Sequence, residues 1–141
     1  MANTTTPITT EYRDGHLIPV PMKAAALALM GTFAMVDANG FGISSSTAVA
    51  ATQKCLGVWE GTADNSLGAD GDLNGLVSRK KAFLFKNLGT DAVTRADIGA
   101  TVYVADNQTI AKTHNTNARP AAGKFLGFDT EYPDHVWVEI A

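Results

Sequence analysis

The chain has 141 residues and a mass of 14.8 kDa, the length of one domain that can build a core without covalent staples. Its net charge of -3 and pI near 5.5 argue against the clustered basic face of a nucleic-acid binder, and its single cysteine, Cys55, excludes an internal disulfide. Charged residues make up 18% against 45% hydrophobic, less than the usual quarter, so part of the surface must be small, hydroxylic or apolar.

No apolar segment approaches the roughly 18 residues that a membrane span requires. The start, Met1 to Thr6, lacks the basic and apolar regions of a signal peptide. With one thiol and no leader, the reading is a chain made in a reducing cytoplasm, with no membrane partner.

Residues 1–15 hold five threonines and Pro7, a composition that favours extended backbone and buries nothing by itself. They form an extended N-terminal arm, and residues 16–141 form a single β-rich domain. Fully extended, the arm reaches roughly 50 Å. Frayed termini are common, but extended segments also bind by adding to sheet edges. Thr4, Thr5, Thr6, Pro7, Ile8, Thr9 and Tyr12 are therefore the candidate partner-binding residues.

The first strand runs from His16 to Val20. Met22 to Gly31 is ambiguous: Pro21 before it, Ala, Leu and Met within it and Gly31 after it suit a short helix, whereas the small residues at Ala24, Ala26 and Ala28 suit a strand. Strand is the choice here. Thr32 to Val36 and Phe41 to Ile43 flank Asn39-Gly40, a hairpin signal in which both residues tolerate positive φ. Ser44 to Gln53 is a polar loop.

Cys55 to Gly61 and Leu73 to Val77 bracket a long Asp/Gly/Asn connection. Ala82 to Asn87, Thr101 to Ala105, Thr109 to Lys112, Gly123 to Phe128 and His135 to Ile140 complete the strands, with a polar loop at His114 to Arg119. Many short strands with turn signals between them predict a mainly β protein, a compact β-sandwich or barrel-like domain. No repeat of 20 to 50 residues is evident, which disfavours solenoids.

Chemistry-bearing patterns are sparse. Asp70, Asp72 and Asn74 match the first half of a calcium loop, but its twelfth position is Lys81 in place of a bidentate Glu. Asp64 could join them as a fourth oxygen ligand. The favoured reading is a turn chosen for its backbone, hence no metal and no cofactor. His16, His114 and His135 are too widely spaced to suggest zinc. Ser44-Ser45-Ser46 lacks a nucleophile frame, and Cys55 is predicted buried and inert. Asp134 and His135 would point to opposite faces if both lay on a strand. Arg79-Lys80-Lys81 reads as a solvated edge. These patterns predict a protein that is not an enzyme.

Trp59, Trp137, Tyr103, Phe83, Phe85, Phe125 and Phe128 all fall on predicted strands and are expected in the core. Were they exposed, they would instead form a stacking platform for sugars.

Several stretches carry a family resemblance. Gly31-Thr32-Phe33-Ala34-Met35-Val36-Asp37-Ala38-Asn39-Gly40 is an apolar strand running into an Asp-Ala-x-Gly turn, and Leu56-Gly57-Val58 follows it. Ala96 to Asp106, with Gly123 to Phe128 and Val136 to Ile140, closes the pattern. Together with Asp64 to Leu73, these resemble the capsid decoration (cement) proteins of tailed bacteriophages over roughly residues 23–140. The resemblance implies a structural virion protein that binds the outer surface of the phage head as a homotrimer. It would clamp neighbouring major capsid protein subunits and stabilise the expanded shell. The alternative is a carbohydrate- or host-surface-binding module displayed on the virion.

Overall fold

The computed structural model describes residues 2–141. It is mainly β, with eleven strands in chain order. These are β1 (Leu17–Pro21), β2 (Leu27–Ala28), β3 (Phe33–Val36), β4 (Lys54–Trp59), β5 (Ala63–Asp64) and β6 (Asn74–Ser78), followed by β7 (Lys81–Asn87), β8 (Thr101–Asp106), β9 (Thr109–Ala111), β10 (Ala121–Phe128) and β11 (His135–Ile140). One 3-10 turn, Arg95–Asp97, precedes β8.

The last five strands close a barrel in the order β10-β11-β7-β9-β8, and β1, β6, β4 and β3 form a four-stranded sheet in that order. Strands β2 and β5 make a small ribbon. Neighbouring barrel strands are antiparallel except for one parallel pair, β7 with β9. Closure leaves the barrel no free edge, the feature that otherwise invites aggregation.

Two cores share the four-stranded sheet. Strand β3 is buried at every residue, because its faces alternate between them. Phe33 and Met35 join the barrel interior with Phe85, Val104, Phe125 and Val138. Ala34 and Val36 join a second core with Met22, Trp59 and Val77. Such a strand reads as a continuous apolar run.

The free edge of the sheet is β1. Its Pro19 and Pro21 have no N–H to offer, so the edge cannot template another strand as a normal edge would. Pro21 spends its carbonyl on the Gly42 N–H at 2.8 Å.

The accessible surface is 8487 Å², against the roughly 7,000 Å² expected for a compact chain of this mass. An arm exposed throughout residues 2–14 accounts for that direction of difference.

Three sequence expectations are corrected. Residues 22–31 are neither helix nor continuous strand: Ala25 sits at φ 59°, which breaks any regular run, and only Leu27 and Ala28 pair, with Asp64 and Ala63. The second strand of the hairpin, Phe41 to Ile43, shrinks to isolated bridges from Gly42 to Val36 and Met22, since the Gly42 N–H is taken by Pro21. Of the Asn39-Gly40 pair only Gly40 adopts positive φ, at 85°.

Candidate functional site

The candidate partner residues of the arm are all exposed. Thr4 and Thr6 are brought together, the Thr4 hydroxyl donating to the Thr6 carbonyl at 3.0 Å, a local turn that threonine favours. Ile8 is 70% exposed and Tyr12 94%, so two large side chains four residues apart stand mostly open to solvent. Were the arm to extend on a partner, that spacing would put both on one face.

The arm leaves the body where sheet and barrel join. The His16 carbonyl accepts from the Arg79 N–H at 2.9 Å, and the Lys80 N–H bonds Ile140 at 2.6 Å. Lys80 takes a left-handed backbone, φ 61°, which turns the chain from β6 into β7. The Arg79-Lys80-Lys81 cluster thus marks the root of the arm.

A cleft of about 520 Å³ runs beside β1, between Ile18, Pro19, Pro21 and Leu56 and the turn at Ala38 to Gly40. Its mouth carries Lys54 and Asp37, and Asp37 pairs with Lys23 at 3.3 Å. Burial pushes the Asp37 carboxyl up, but the N–H groups of Phe41 and Asn39 and the Lys23 ammonium outweigh it and hold the group below its usual range.

Further exposed apolar side chains lie on the β2–β5 ribbon and its flanking turns: Leu27, Leu29, Met30 and Leu67. Sequence reasoning gave them no role. The one signal was Leu67, an apolar residue inside an otherwise polar Asp/Asn/Ser/Gly turn, fully exposed at 103%.

The calcium candidates are occupied with backbone. Asp70 accepts from the Ala24 N–H at 2.7 Å and Asp72 from the Ala69 N–H at 2.8 Å. Asn65, buried beside them, donates to the carbonyls of Lys23 and Ala69. Among the described residues no group of three or more His, Cys, Asp or Glu side chains gathers where an ion could sit.

Asp134 lies just ahead of β11 and not on it, so the condition for opposite faces is not met. Its carboxylate meets His135 Nδ1 at 2.8 Å, and that bond holds Asp134 below its usual range. Such a pair can orient an imidazole. Among the described residues no hydroxyl or thiol hydrogen-bonds His135. His114 is used structurally, its Nδ1 accepting from the Asn117 N–H at 2.8 Å.

Cys55 is half-buried, not fully buried as expected, packed on the barrel core. Desolvation nevertheless pushes its thiol up to about 12, which suppresses the nucleophilic thiolate.

The aromatic residues divide. Trp59, Phe85 and Phe125 are buried. Phe83, Tyr103 and Trp137 are half-buried and Phe128 is exposed, so the expectation that all seven lie in the core is corrected. Phe128, at the end of β10, stays exposed although its edge contacts Phe125. Tyr132 stands in the following turn at 50% exposure.

Among the described residues no helix is long and apolar enough to cross a membrane. Comparison with protein-family models, with curated proteins and with solved structures found no match to this chain.

Proposed function

We propose that the chain is a phage capsid decoration protein: a homotrimer on the outer surface of the head that cements neighbouring major capsid protein subunits. The observation that carries this reading is the arm. Residues 2–14 are exposed throughout and present Ile8 and Tyr12 to solvent, ahead of a body whose last five strands close into a barrel.

A cement works by engaging several subunits at once, so that each contact raises the effective concentration of the next. Threonines suit such a clasp, because desolvating a hydroxyl that finds a hydrogen bond costs far less than desolvating an unpaired charge. Ile8 and Tyr12 would supply the buried area. The apolar residues on the β2–β5 ribbon offer a second contact from the rigid body. No catalysis is part of this reading.

Co-sedimentation of the purified protein with expanded, undecorated capsids, alongside its solution mass, tests the proposal. Saturable binding of trimers supports it. Failure of the folded protein to bind would overturn it.

Exposed Phe128 and Tyr132 at the β10–β11 turn support a second reading, a carbohydrate-binding module displayed on the virion, since sugar stacking needs exposed rings. Glycan-array binding that is lost in a Tyr132→Ala variant would favour it.

A further inference from the structure

The chain contains two Asn-Gly pairs, at 39–40 and 74–75, and the fold treats them oppositely. Asn39 and Gly40 are exposed in the turn after β3, and the space around Gly40 is open. Asn74 and Gly75 begin β6, where Asn74 pairs with Pro21. Gly75 is buried, with the Trp59 ring and the Met22 sulfur where a side chain would project. Asn-Gly is where a side-chain amide and the following backbone nitrogen meet with least obstruction, because glycine carries no Cβ.

We propose that Asn39 is a site of spontaneous modification, its amide converted to aspartate and isoaspartate through attack by the Gly40 backbone nitrogen, while Asn74 is held unreactive by its strand. The Gly40 nitrogen gives its proton to solvent base and bonds to Asn39 Cγ. The bond from Cγ to the amide nitrogen breaks, and ammonia leaves. Water then opens the five-membered imide. Attack at Cγ gives aspartate, whereas attack at the main-chain carbonyl carbon gives isoaspartate, with the backbone rerouted through the side chain. No oxidant or co-reactant besides water takes part.

The turn sets the gate. The Gly40 N–H donates to the Asp37 carbonyl at 3.0 Å, and the N–H groups of Asn39 and Phe41 donate to Asp37 Oδ1 at 2.9 and 3.0 Å. The Gly40 bond must release before its nitrogen can attack, and the other two hold the turn that keeps it; an exposed turn opens at less cost than a strand that is paired and packed.

The product matters to its surroundings. A new carboxylate arises beside Asp37, which already engages Lys23. In isoaspartate an extra backbone carbon displaces the turn that carries Gly42 to Pro21. Because Asn39 borders the cleft along β1, both the charge and the shape of that cleft change.

The test incubates the full-length protein in mildly alkaline buffer at physiological temperature, native and in denaturant. Peptide mapping by mass spectrometry with isoaspartyl methyl-transfer labelling follows both sites. In the native protein, product at Asn39 should form about tenfold faster than at Asn74, or more, with both isomers present and the two rates converging in denaturant. An unchanged Asn39, or equal native rates, would overturn the proposal. So would a disparity that persists in denaturant, which would assign it to neighbouring sequence, or aspartate without isoaspartate, which would indicate direct hydrolysis. An Asn39→Ser variant should give no product at that position.

Discussion

Phe33 of the four-stranded sheet and Phe85 of the barrel stack face to face, their ring centroids 4.0 Å apart and their planes 19° from parallel. The contact crosses the join between the two sheets, and both rings are buried. Phe33→Ala or Phe85→Ala should cost about 3–5 kcal/mol. Because the two residues share one core, sheet and barrel should melt in one transition in the native chain, with calorimetric and van't Hoff enthalpies agreeing. Two separate transitions would show the sheets to be independent.

Gly75 and Gly61 offer a matched contrast. A methyl at Gly75 would strike the Trp59 ring and approach the Met22 sulfur at 3.0 Å, whereas one at Gly61 meets nothing within 4 Å. Gly75→Ala should destabilise by about 1–3 kcal/mol through overpacking, and Gly61→Ala should stay within about 0.5 kcal/mol of the native protein. Urea midpoints of the two variants decide it.

Asp91 ties two loops of the barrel end together. The Thr113 hydroxyl, foremost, and Arg119 at 2.9 Å hold its carboxyl below the usual range, outweighing the opposing effect of burial. A group whose folded pKa is depressed contributes stability above its unfolded pKa and loses it as pH falls through the folded value. Asp91→Asn should therefore be less stable than the native protein at neutral pH. The gap between the two should close in acid, and thermal midpoints measured across that range check the sign. A gap independent of pH would mean that the carboxylate charge contributes nothing.

Cys55 should report opening of the sheet. With its thiol pushed up to about 12 by desolvation, labelling by a disulfide-exchange reagent at neutral pH should be slow in the native state and fast in denaturant. Rapid native labelling would show that β4 opens locally without global unfolding.

The strands were legible because their apolar runs end at Gly, Pro, Asn or Asp, and β11 falls on the span read from sequence, His135 to Ile140. The closed barrel was legible only as a class. Its parallel β7–β9 pair joins residues more than twenty positions apart, and no local pattern encodes that pairing. Residues 22–31 misled for the same reason. Their composition suits either regular state, and what decides them is tertiary: Asp70 takes the Ala24 N–H and Gly42 accepts from the Lys23 N–H. Trp137 and Phe128 lie on strands as their sequence context predicts but outside the core, since closing a barrel leaves an outer surface that aromatic composition does not announce. The arm was readable from its threonines, but the cleft beside β1 was not, because it forms where residues from three separate segments meet.

Deleting residues 2–12 separates the arm from the body. No strand includes these residues and all of them are exposed, so stability should hold to within about 0.5 kcal/mol. Under the proposed decoration role, capsid binding should weaken. If Ile8 and Tyr12 are the anchors, Ile8→Ser with Tyr12→Ser in the full-length chain should reproduce most of the loss, each buried side chain contributing about 1.5–3 kcal/mol, or about tenfold or more in affinity. A truncated protein that binds as tightly as the intact one would move the clasp to the body, and Leu29, Met30 and Leu67 in the turns flanking the β2–β5 ribbon would be the next residues to change. A truncated protein that unfolds would instead show that the arm belongs to the domain, contrary to its exposure.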